Sequence, residues 1–260
     1  LNALRETGIM VPEAVPDKED ETMLTLRLPE AVERYVVLFH WIDGEMPTTD
    51  VDPRAFQQLG QITARLHQHS KQWQPPAGFQ RIIWDHHTMT SAESHWGRWQ
   101  DAPNLNPADH GVVEQAISQV GAAMTQFGKG SDRYGLIHAD LRLTNLLLHK
   151  GETRVIDFDD CGLGWYLHDL AAAISFVEHH PRAPEWIDHW IRGYEQVAHI
   201  SDAEMAMLPA LLIQRRIQLT AWVGSHAETE MARSLGSAWA SHSVRLCRRY
   251  LEGEQLPVGV

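Results

Sequence analysis

One stretch constrains this chain more than any other. It reads His138-Ala-Asp140-Leu-Arg142-Leu-Thr-Asn145, then Val155-Ile-Asp157-Phe-Asp159-Asp160, then His168-Asp169-Leu170. Residues 136–137 are apolar and enter a polar loop, residues 146–148 are apolar and leave it, and Lys150-Gly151 has the chemistry of a hairpin turn. Val155 and Ile156 then run into a second acidic loop. The pattern predicts short buried strands that deliver Asp140, Asn145 and Asp157 side by side. Crowded carboxylates repel, and the cost is tolerable when a divalent cation or a proton lies between them. Asp157 and the side-chain carbonyl of Asn145 offer hard oxygen ligands for Mg2+, an ion that keeps several waters and is commonly shared with phosphates. Asp140, five residues before Asn145, is then available to take a proton from an attacking hydroxyl. Taken singly, each of the three is ordinary loop chemistry, a turn cap or a strand end. Their joint order and spacing, a base followed by two metal ligands, is what phosphoryl transfer requires.

The same residues resemble the signature of the aminoglycoside phosphotransferase family, roughly H-G-D-x4-N, I-D-F-D and D-L-A, a group that includes choline, homoserine and methylthioribose kinases. Ala139 stands where that family usually has glycine. The resemblance implies a protein-kinase-like α+β fold, with a small β-rich lobe and a large, mainly helical one. By position it makes Asp140 the catalytic base, Asn145 and Asp157 the Mg2+ ligands, and His138 and Asp169 braces of the loop. It also implies ATP as co-substrate. Residues 37–45, Val-Leu-Phe-His40-Trp-Ile42-Asp-Gly-Glu, are similar to the family's hinge, which gives the His40 carbonyl and the Ile42 amide as backbone partners for adenine. Asp159 either assists the metal or holds the loop.

Composition narrows the partners. A formal charge of −12 over 260 residues leaves no basic stripe for nucleic acid and is compatible with a cationic small-molecule substrate. Two cysteines, Cys161 and Cys247, make neither a disulfide framework nor a metal spacing, which suits a cytoplasmic protein. No apolar run reaches the roughly 18 residues of a membrane span. The 16 histidines are scattered, without a ligand set. The oligomeric state is left open.

Along the chain, residues 1–6 read as the end of a helix closed by Gly8, residues 22–28 as a strand and residues 35–39 as another. Asp52-Pro53 should open a helix whose Phe56, Leu59, Ile62 and Leu66 face the core, with His67 and Ser70 structural. Residues 75–107 read as short helices and loops. A helix over residues 111–127 is expected to pack beneath the catalytic loop. Residues 170–178, 184–198 and 205–223 read as helices, with Ser201 and Glu204 forming a capping box, and one last helix spans residues 232–251. The aromatic clusters are expected to be core. Glu178, Asp188 and Glu195 are weighed both as a cation pocket and as solvated helix faces.

These readings divide the chain into a partial N-terminal lobe, residues 1–43, and a catalytic and substrate-binding lobe, residues 44–260. The glycine-rich phosphate loop and strand lysine of a kinase small lobe do not occur ahead of the hinge. The expectation is therefore a fragment that turns over ATP poorly on its own. The activity expected is Mg2+- and ATP-dependent transfer to a small-molecule hydroxyl. A bacterial serine/threonine kinase of the same family is the alternative, opposed by the short interval from Asp157 to His168 and the lack of A-P-E. A non-catalytic kinase-fold binding module is the other, opposed by the intact Asp140, Asn145 and Asp157.

Overall fold

In the computed structural model, which describes residues 1–29, 32–47 and 53–254, helix α1 (Asn2–Glu6) comes first and Gly8 follows it. Strands β1 (Leu24–Arg27) and β2 (Glu33–Val36) then pair antiparallel, Leu24 opposite Val36 and Arg27 opposite Glu33. The second strand lies earlier than its apolar run suggests. Residues 38 and 39 pair instead with the segment after α1: Phe39 bridges Ala14, and the Val15 amide donates to the Leu38 carbonyl at 2.8 Å. The Asp52 cap falls outside the described residues.

Helix α2 (Pro53–Gln72) buries Phe56, Leu59, Ile62 and Leu66, the stripe its periodicity sets out. After a loop come β3 (Ile82–Ile83), α3 (His86–Thr90) and α4 (His110–Phe127). The apolar face of α4 comprises Val113, Ala116, Val120 and Met124, and among the helices α4 lies chiefly against two later ones. Strand β4 (Tyr134–Ile137) leads into that loop. The hairpin β5 (Leu146–His149) and β6 (Glu152–Val155) follows, turning at Lys150 and Gly151 with φ of 49° and 82°.

Strand β7 (Gly162–Trp165), unforeseen in the sequence, pairs antiparallel with β4 and parallel with β3. The strand entering the catalytic loop thus pairs with β7, while β5 and β6 pair with each other. Helix α5 (His168–Ala173) is shorter than its apolar run: its C-cap is Ile174, and Phe176 beyond it takes φ 73°. Then come α6 (Ala183–Glu195), α7 (Asp202–Ser225), α8 (Glu230–Ser234) and α9 (Ala238–Leu251). The expected capping box opens α7: the Glu204 amide donates to Ser201 Oγ, and the Ser201 amide donates to Glu204 Oε2 at 2.9 Å. The last expected helix is two, broken around Gly236 at φ 70°. Trp186, Trp190 and Tyr194 on α6 are core.

Two compact units result. One draws on residues 1–49 and 144–157, the other on residues 50–143 and 158–260. The β5–β6 hairpin thus belongs with the N-terminal residues. The larger unit holds nearly all the helix and the deepest core. No described helix is long and apolar enough to cross a membrane.

Candidate active site

The loop that carries Asp140 is organised around a buried carboxylate. Asp169, on α5, is fully buried, and its Oδ1 accepts the Ala139 amide at 2.7 Å. Its Oδ2 accepts the His138 amide at 3.1 Å and lies 3.0 Å from His67 Nε2 on α2. With Nε2–H donating to Asp169, His67 Nδ1 accepts the Tyr194 hydroxyl, 3.0 Å away. Burial alone would raise the Asp169 pKa, but the hydrogen bond from His67 and the histidines around it outweigh that and hold it below the usual carboxylate range. Ala139 sits at φ 69°, a conformation glycine takes without cost, and its bond to Asp169 offsets the strain. His138 packs its ring on Phe158, centroids 4.6 Å apart. Asp169 therefore braces the loop as expected, and Asp140 follows directly.

Asp140 is 14% exposed and meets two guanidinium groups. Arg142 reaches both oxygens, Nε at 3.2 Å from each and Nη2 at 3.1 Å from Oδ2. Arg215, from the buried face of α7, places Nη2 2.6 Å from Oδ1. Burial pulls the Arg215 pKa down, against the pull of Asp140, which favours its charged form. Sequence reasoning assigned neither arginine a role. Arg142 lies inside the signature, and Arg215 shows only as a charge within the long apolar run of α7. A third buried group, His168, has its pKa pushed down to about 3 by burial and by the Arg215 charge, although Asp169 and Asp140 pull the other way.

In the smaller unit the hairpin brings Asn145 and Asp157 to one end. Leu146 faces Val155, and the Ile156 amide donates to the Asn145 carbonyl at 3.0 Å, so Asn145 and Asp157 flank the last rung. Asn145 is buried, and Asp157 takes φ 68°, a left-handed turn that aspartate tolerates. An amide and a carboxylate are hard oxygen donors and suit Mg2+, which needs few protein ligands. Among the described residues no group of three or more His, Cys, Asp or Glu is placed to hold a metal. Asp159 turns its carboxylate onto the next amide, Asp160, at 2.9 Å, which favours a loop-holding part.

His40 and Ile42 lie in the same unit and line a cleft with Met10, Val11, Trp41 and Arg154. The His40 amide donates to the Glu13 carbonyl at 2.9 Å. Just beyond, Glu45 pairs with Leu148 of β5, and Arg154 of β6 donates to the Asp43 carbonyl at 2.9 Å. The expected adenine segment and the expected metal hairpin are thus stitched together. Of the acidic residues weighed as a cation pocket or as solvated faces, Glu178 is buried on Arg216, while Asp188 is an exposed partner of Arg192.

Residues 1–208 match the APH family, described as "Phosphotransferase enzyme family". The chain belongs to that family. Its backbone resembles a solved microcompartment-associated aminopropanol kinase with a TM-score of 0.88 and 40% identity, covering 98% of this chain and 80% of that one. An amicoumacin kinase solved with AMP-PNP, Ca2+ and Ami aligns at TM-score 0.76 and 23% identity, over 99% of this chain and 77% of the other, a likeness of fold. Amicoumacin kinase of Bacillus subtilis (strain 168) is 26% identical over 180 residues, 65% of this chain. This phosphotransferase-family chain spans half the length of that curated relative.

Proposed function

We propose that the chain carries the phosphoryl-transfer residues of an ATP- and Mg2+-dependent kinase whose acceptor is the hydroxyl of a small amino alcohol. The observation that carries this reading is the oxygen-donor pair at the end of the hairpin, Asn145 and Asp157, following a braced Asp140 in the family signature. The amino alcohol is favoured by the 40% identity with the aminopropanol kinase and by the net charge of −12, which suits a cationic substrate.

In this reading the acceptor O–H bond breaks as its oxygen bonds to the γ-phosphorus. The proton passes to the Asp140 carboxylate, and the bond from phosphorus to the β,γ-bridging oxygen breaks, releasing ADP. Positioning and charge neutralisation supply most of the acceleration in such transfers. Asn145 and Asp157 would hold Mg2+, which when bound neutralises phosphate charge. Arg142, a quarter exposed beside Asp140, is placed to follow charge on the transferred group. The His40 carbonyl and Ile42 amide would take the adenine edge. Residues 1–43 serve as small-lobe chain ending at the hinge, and residues 44–260 as the catalytic and substrate-binding lobe.

The test separates metal from nucleotide. Asp157→Ala should weaken binding of Mg2+·ATP while leaving metal-free ATP binding unchanged within about twofold, because the carboxylate acts on phosphate only through the ion. Equal losses for both forms would make Asp157 a structural residue. ATP consumption by the full protein across amino alcohols, sugars and aminoglycosides should be highest with aminopropanol. Consumption highest with a sugar would overturn the acceptor class.

A further inference from the structure

Two adjacent arginines of α7 are buried, and they are used differently. Arg216 is fully enclosed and satisfied by buried groups: Glu178 Oε2 at 2.7 Å, Ser243 Oγ at 2.8 Å, and the Trp239 ring beneath it. Its partner Glu178 is 3% exposed, so that pair is interior structure. Arg215 is equally enclosed, at 1% exposure, but its carboxylate partner is the part-exposed Asp140 of the catalytic loop.

A guanidinium offers five donors in a rigid fork. Arg215 Nε donates to Ser175 Oγ at 2.9 Å, Nη1 donates to Gln218 Oε1 at 3.1 Å, and the plane lies over Trp96, 5.0 Å from the ring centroid. Those three contacts fix its position and plane before Asp140 is considered. The remaining arm, Nη2, donates to Asp140 Oδ1 at 2.6 Å. Burying a guanidinium carries a large desolvation cost that only good pairing repays. A chain that needed helix packing alone would gain more from an apolar residue here. Arg142 contrasts with it, since its bonds to Asp140 are longer, at 3.1–3.2 Å, and it is part-exposed.

We propose that Arg215 is a positioning residue for phosphoryl transfer: it holds Oδ1 of Asp140 from the core and so fixes the orientation of the carboxylate that takes the acceptor's proton. The assignment rests on the reading of Asp140 as base. It makes the catalytic loop depend on α7 as well as on the brace at Asp169. Lysine is no equivalent, because a single ammonium cannot bond Ser175, Gln218 and Asp140 in one plane.

The experiment is a double-mutant cycle in the full protein, with Mg2+·ATP and the acceptor that gives the fastest turnover. Arg215→Met, close in volume and apolar, should lower kcat about 10²-fold with KM for ATP within about twofold of wild type. In the Asp140→Asn background the same change should cost less than about twofold, because Arg215 then has no base to position. A crystal structure of R215M should show Asp140 in an altered rotamer. Equal costs in both backgrounds, or an unmoved Asp140 with unchanged kcat, overturn the proposal. If D140N alone turns over normally, the base reading fails, and this proposal with it. If D140N is slow but R215M is not, only the positioning role fails. Should R215M not fold, Arg215→Lys takes its place in the cycle. Its kcat should fall about tenfold, and wild-type kcat in a folded R215K overturns the proposal.

Discussion

Asp140 and Asp169 are two carboxylates of one signature, and they live in opposite surroundings. Asp169 is fully buried, with two backbone amides and a histidine around it; Asp140 keeps 14% of its side chain in contact with solvent, between two arginines. The backbone amides at Asp169 cannot leave without unfolding the loop. At Asp140 the part-exposed donor, Arg142, can reorient. A carboxylate held by backbone is a structural member, whereas one held by side chains can exchange a bond for a proton. Their spacing in the sequence says nothing of this difference; their donors do.

Substitutions should pull the two apart. The largest expected effect is at Asp140. Asp140→Asn in an active full-length protein should reduce kcat by roughly 10²–10⁴-fold and, because it leaves the buried Arg215 guanidinium without its carboxylate, should lower the thermal midpoint as well. Near-normal turnover would remove Asp140 from the role of base and erase the contrast. Asp169→Asn should act first on stability, since that carboxylate is fully buried. An amide nitrogen replaces an acceptor that now takes an N–H donor, so stability should drop by about 3–5 kcal/mol in denaturant titration. A stability loss under about 1 kcal/mol would mean the brace is dispensable.

The smallest effect is read by pH and bears on the brace and its buried neighbours. The folded-state pKa of Asp169 is depressed, so its contribution is fully present above the unfolded value near 4 and is lost as pH falls through the folded one. His168 acts at higher pH. Its folded pKa of about 3 lies below the 6.5 of the free side chain, so between those values the unfolded chain binds a proton that the fold refuses. Stability should therefore decline as pH drops from 6.5, by on the order of 2 kcal/mol at pH 5 from this group. His179, pushed down to about 4 first by burial and then by the Arg216 charge, adds to the slope. Removing the imidazole in His168→Phe should flatten the decline. An unchanged slope would show that the acid sensitivity arises elsewhere.

Much of this architecture is legible before any coordinates. Lys150-Gly151 marks the hairpin because few residues suit two successive positive φ angles, and the α7 capping box is local chemistry between Ser201 and Glu204. Strand β7 was not legible. Gly162 and Gly164 are glycines because a Cβ at either would press on Ile82 or Ile137 across the sheet, a tertiary reason that leaves no local trace. Asp140, Asn145 and Asp157 stand out by spacing. Arg215 could not, since its meaning comes from Asp140, 75 positions earlier in the chain.

The brace also carries a kinetic consequence. Asp169 joins His67 across 102 positions and the His138 amide across 31, so its contacts close long loops and cannot form until α2 and β4 have docked. Such contacts belong to the late side of the folding barrier. Losing them should leave refolding nearly as fast as before and make the native loop open sooner, so the persistence of the active conformation, more than its formation, depends on that one buried carboxylate.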